Sequence, residues 1–72
     1  MLPQTDAEIT AYNEGVRIAR TPSARSHYSA TRSLVLIGDM SDAAQRALDA
    51  LGPDLFWTWA DRGYYSHQLT TY

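Results

Sequence analysis

Neither cysteine nor lysine occurs anywhere in this chain. Without cysteine there can be no disulfide and no thiolate metal site, so a domain of 72 residues must hold itself together by packing or by association with itself or another protein. A chain this short buries only about 60% of the surface its unfolded form exposes, so each large apolar group matters. Long apolar runs are missing too. The longest aliphatic stretch, Leu34 to Ile37, cannot span a bilayer, and residues 1–6 have neither a basic n-region nor an apolar h-region. These absences lead us to expect one domain over 1–72, soluble and cytoplasmic, with no membrane partner.

All six cations are arginine, the residue with planar, bidentate donors. The net charge of −2 weighs against a general nucleic-acid coat protein or a polybasic membrane binder. Its distribution is more informative. Arg17, Arg20, Arg25 and Arg32 fall in a stretch, Gly15 to Gly38, that holds no Asp or Glu, whereas Asp39, Asp42, Asp49, Asp54 and Asp61 crowd the second half.

Catalytic and metal signatures are also lacking. Serine and threonine are plentiful, yet none lies in a nucleophile elbow, and no glycine-rich loop cradles a phosphate. His27 and His67 stand forty residues apart with no cysteine to complete a zinc site. The stretch Leu34-Val35-Leu36-Ile37-Gly38-Asp39-Met40-Ser41-Asp42 resembles the strand-Gly-Asp-x-x-Asp element that holds magnesium in haloacid dehalogenase-like phosphatases. That family also needs an Asp-x-Asp nucleophile pair and a doubly wound sheet, and this chain has no such pair and is too short for such a sheet. Asp42 is therefore read as a helix cap. The expectation is a protein that is not an enzyme and uses no cofactor or metal.

Thr5-Asp6-Ala7-Glu8 reads as a capping box that starts a helix. Ile9, Tyr12, Val16 and Ala19 recur at helical period and predict its buried stripe. Gly15 within it implies either a bend or the close approach of another element. The helix must end by Thr21, before Pro22. The arginine segment 22–32 reads equally as a loop or as a second helix with Pro22 at its first position. Leu34 to Ile37 predicts a short buried strand. Asp42 then caps a helix with Ala44, Ala47, Leu48 and Leu51 buried and an Asp42–Arg46 pair at i, i+4, and Gly52-Pro53 ends it.

What is abundant is aromatic, and it is concentrated: Leu55-Phe56-Trp57-Thr58-Trp59 holds both tryptophans and the only phenylalanine. A helix over 53–62 would group Leu55, Phe56, Trp59 and Ala60. A strand over 55–60 would group Leu55, Trp57 and Trp59. The strand is preferred, because Asp61-Arg62-Gly63 suits a three-residue hairpin loop and the remainder is rich in Tyr and Thr. The expected fold is therefore α+β, a small two-layer sandwich of two or three helices on a short, largely antiparallel three-stranded sheet with a C-terminal hairpin.

More aromatics are present than one small core hides, and Tyr, Trp and Arg dominate interface hot spots. The residues expected to bind a partner are Arg20, Arg25, Tyr28, Arg32, Trp57, Tyr64, Tyr65 and Tyr72. The favoured reading is a non-enzymatic protein-binding module, a small inhibitor or regulator of a larger assembly. In size, lack of cysteine and lack of motifs the chain resembles small phage-encoded inhibitors, anti-CRISPR proteins among them. Two alternatives stand beside it. One is a DNA-binding or antitoxin-like regulator using the arginine-rich segment 20–32, and the other is a homodimer or larger homo-oligomeric structural subunit.

Overall fold

The computed structural model describes residues 2–22 and 41–70, the last four of them as backbone alone. Three helices make up the regular structure in these residues: α1 (Asp6–Arg20), α2 (Asp42–Leu51) and α3 (Pro53–Thr70). The expected α+β sandwich does not form. The described residues contain no strand, and they pack as a small helical bundle. The expected strand 34–37 and most of the segment 22–32 lie outside the described residues.

The capping box starts α1 as the sequence implies. Thr5 Oγ1 accepts from Glu8 N at 3.2 Å, and Glu8 Oε1 accepts from Thr5 N at 3.1 Å and from Gln4 N at 3.0 Å. These backbone amides, Gln4 first and Thr5 next, stabilise the ionised carboxylate and lower the Glu8 pKa from its ordinary value, with smaller contributions from the Thr5 hydroxyl and the Trp59 indole. Asp6 and Glu8 lie in the first turn and Arg17 and Arg20 in the last, which complements the helix dipole at both ends. Thr21, extended before Pro22, closes the helix by donating its amide to Ile18 O and its hydroxyl to Arg17 O.

The buried face of α1 shares only Ala19 with the predicted stripe. Ala11, Glu14, Gly15, Ile18 and Ala19 are buried, whereas Ile9 is 40% exposed and Tyr12 and Val16 are half-buried. The face carrying the smaller side chains turns inward because another helix lies directly on it.

Ser41, not Asp42, caps α2, its Oγ accepting from Ala44 N at 3.1 Å. Asp42 begins the helix and adds charge to its first turn, and no ion pair joins it to Arg46 among the described residues. Gln45 instead donates to Asp49 Oδ1 at 3.2 Å. Gly52, at φ 81°, ends α2 in a conformation that favours glycine, and its carbonyl accepts from Phe56 N at 2.9 Å to open α3. One residue thus joins two helices, with Pro53 at the first position of the second, where its missing N–H costs nothing.

The predicted hairpin is therefore a single helix running through Asp61, Arg62 and Gly63. Gly63 forms no turn. It sits where α3 crosses α1, facing the backbone of Tyr12, while Gly15 of α1 faces the carbonyl of Ala60. At both glycines a Cα–H points at a carbonyl oxygen of the other helix. Such contacts recur between close-packed helices and contribute about 0.5–1 kcal/mol each. Gly15 therefore marks the approach of another element rather than a bend.

The core follows from this crossing. α3 supplies the bulk through Phe56, Trp57, Trp59, Ala60 and Tyr64, while α1 and α2 supply mostly small residues, Ala11, Ala19, Ala44 and Ala47, with Ile18. Phe56 and Trp57 meet edge to face, their centroids 5.1 Å apart. Phe56 is completely buried, which stabilises the fold by roughly 1.5–3 kcal/mol.

Candidate functional site

The helical period of α3 divides the aromatic stretch differently from a strand. Residues 56, 57, 59, 60, 63 and 64 turn inward, and Leu55, Thr58, Arg62 and Tyr65, spaced 3-4-3, form an outer stripe. Leu55 and Tyr65 are each 54% exposed. Ten residues apart, they stand about 15 Å from each other along the axis at 1.5 Å per residue.

The polar groups between them are largely engaged within the helix. The Thr58 hydroxyl donates to Asp54 O at 2.8 Å. The Arg62 guanidinium lies over the Trp59 ring, 4.7 Å from its centroid, a cation–π contact worth about 0.5–1 kcal/mol at an exposed site. Tyr65 stands edge-on to Tyr64, with centroids 5.0 Å apart, so its ring is held in place from below. Asp54, at the start of the helix, and Asp61, one heptad on, run along one edge of the stripe.

Of the residues expected to bind a partner, Tyr65 alone stands on this face. Trp57 and Tyr64, expected on an open sheet face, are 4% and 5% exposed and belong to the core. The cause is the change of period from two to 3.6, which carries position 57 away from 55 and position 64 under 65. Arg25, Tyr28, Arg32 and Tyr72 lie outside the described residues. Leu55, Thr58 and Arg62 were missed as members of the stripe, although their 3-4-3 spacing with Tyr65 was present in the sequence.

Arg20 is exposed at the far end of α1, where Asn13, Val16, Arg17, Arg20 and Thr21 line a shallow depression of about 320 Å³. Both arginines have local work to do. Arg17 Nε donates to the carboxylate of Glu14, whose side chain is only 5% exposed, and so neutralises a buried charge. Both also face the negative end of their own helix dipole, which offsets part of the attraction they could offer an anion. Over the whole chain eight carboxylates stand against six arginines, two negative charges in excess.

No group of three or more metal-ligating side chains occurs among the described residues, and none of their helices is long and apolar enough to cross a membrane. No protein-family model, curated protein or solved structure matches this chain.

Proposed function

We propose that this chain is a non-enzymatic protein-binding module, a small inhibitor or regulator of a larger assembly, that docks through the outer face of α3. The observation that carries the reading is the pairing of Leu55 and Tyr65, each 54% exposed, on one face of one helix. A helix that lays one face into a groove is a recurrent way to bind a partner, and here the apolar anchors stand at i and i+10 with Thr58 and Arg62 between them. Tyrosine and arginine are the residue types that concentrate binding energy at such interfaces. The net charge of −2 favours this reading over the nucleic-acid alternative.

Affinity purification from the natural host tests it, comparing the unaltered protein with the variant Leu55→Glu plus Tyr65→Glu, both shown by circular dichroism to be helical. The reading expects a partner recovered with the first and lost with the second. Equal recovery of every co-purifying protein with both would refute it.

A further inference from the structure

We infer that the partner is a protein whose docking groove is apolar along its floor and basic along its rim. The inference rests on the reading of α3 as the docking face and concerns the chemistry of what covers it. The floor follows from the stripe itself. Its two outward apolar groups are Leu55 and Tyr65, and between them the Thr58 hydroxyl is bonded to Asp54 O while the Arg62 guanidinium is stacked on Trp59. Matching this stripe takes two apolar sockets about 15 Å apart, given a rise of 1.5 Å per residue, with an acceptor between them for the Arg62 guanidinium, which keeps its N–H donors and its charge when stacked on Trp59.

The rim follows from charge. Asp54 is exposed beside Leu55 and carries the charge of this edge, with Asp61, half-buried and engaged in an interaction of its own, one heptad later. Beyond the stripe, Arg17 is committed to the buried Glu14, while on α2 the exposed Arg46 stands between the exposed Asp42 and Asp49, so the charge that bears on the groove is that of the α3 edge. A partner with an acidic rim would place like charges opposite Asp54, which opposes association, whereas Lys or Arg there speeds encounter and fixes register.

The same edge makes a second copy of this chain a poor occupant. If two α3 helices pair antiparallel about a two-fold axis, each acidic edge meets its own copy.

The test places a photo-crosslinking amino acid at Leu55 or at Tyr65, with Asp49 on α2 as the control position, in cells of the natural host, and identifies adducts and crosslinked residues by mass spectrometry. The affinity of the recovered partner is then measured for the unaltered protein and for Asp54→Lys, Asp54→Asn and Asp49→Lys. The expected result is an adduct at 55 and 65 that is absent at 49, with Lys or Arg flanking the crosslinked site. Asp54→Lys should weaken binding roughly tenfold, Asp54→Asn should weaken it less, and Asp49→Lys should leave it unchanged. Asp54→Asn gives the answer if the lysine variant fails to fold. A recovered partner that binds the Asp54 variants as tightly as the unaltered protein overturns the basic rim while leaving the docking face intact. An adduct of twice the chain's own mass overturns the inference in favour of self-association. Absence of any adduct at 55 and 65 overturns the docking reading itself.

Discussion

Replacing either glycine at the α1–α3 crossing with alanine should destabilise the protein, although helix propensity alone predicts the opposite. A Cβ on Gly15 would lie 2.6 Å from the carbonyl carbon of Ala60 and 2.9 Å from Tyr64 N, and one on Gly63 would lie 2.9 Å from the Tyr12 carbonyl carbon. Ordinary contact between carbons is about 3.5–4.0 Å, so the helices must separate by roughly 1 Å. The neighbours are backbone atoms, and no side-chain rotation can relieve the clash. Forcing extra carbon into a packed site costs about 1–3 kcal/mol, and sometimes more. A radial gap of about 0.5–1 Å also forfeits a quarter to a half of the dispersion energy between the faces it parts. Against this, alanine gains about 1 kcal/mol over glycine in a helix interior. The net expectation is a loss of about 2 kcal/mol for each variant, a large share of the roughly 4–11 kcal/mol total for a domain this size, and a fall in Tm of about 10 °C. Urea titration followed by circular dichroism and tryptophan fluorescence measures it. The double variant should lose less than the sum of the two, because a crossing already opened by one methyl accommodates the second more cheaply. If either single variant is as stable as the unaltered protein, or more stable, the close crossing is refuted.

Three further outcomes follow from the same packing. Phe56→Ala, at a completely buried position, should cost about 3–5 kcal/mol and leave little folded protein at 37 °C, which thermal denaturation will show. Arg17→Ala leaves the buried Glu14 carboxylate without its guanidinium. It should cost about 1–2 kcal/mol, below the range for a fully buried pair because Arg17 is 54% exposed, and Glu14→Gln in that background should recover part of the loss in a urea titration. Because the folded Glu8 pKa is depressed, its contribution to stability is present above the unfolded value and is lost as pH falls through the folded one. Glu8→Gln should therefore lower stability at neutral pH and flatten the acid limb of the stability profile below the ordinary glutamate range.

Local signals were legible in the sequence and the long-range ones were not. Thr5 and Glu8 lie in one turn, and Gly52-Pro53 announces the end of α2 within two residues, so both could be read directly. Pro53 suits both the end of α2 and the first position of the next helix, and the sequence leaves a helix over 53–62 open beside the preferred strand. The aromatics after it favour strands by propensity, but that preference is weak and tertiary packing overrides it. Gly63 looked like a turn because its reason for being glycine is the carbonyl of Tyr12, far away in the chain. Gly15 showed the same thing from the other side, since close approach was one of the two readings its position allowed, yet the sequence could not say which element approached. The α1 stripe was misplaced for a related reason. Hydrophobic size points to Ile9 and Val16, whereas the close packing of α3 selects Ala11 and Gly15 beside Ala19, the one member of the predicted stripe that is fully buried. At period two Trp57 and Tyr64 fall on open sheet faces and Leu55 is separated from Tyr65, whereas at period 3.6 the first two turn into the core and the last two share the outer stripe.

Backbone NMR of the unaltered protein tests the central claim most directly, because everything proposed for Leu55 and Tyr65 depends on 53–66 being one helix laid across α1. The account predicts continuous sequential amide–amide NOEs through Asp61, Arg62 and Gly63, together with an NOE between the α protons of Gly63 and the backbone of Tyr12. Cross-strand NOEs pairing 55–60 with the residues after Gly63 would contradict it.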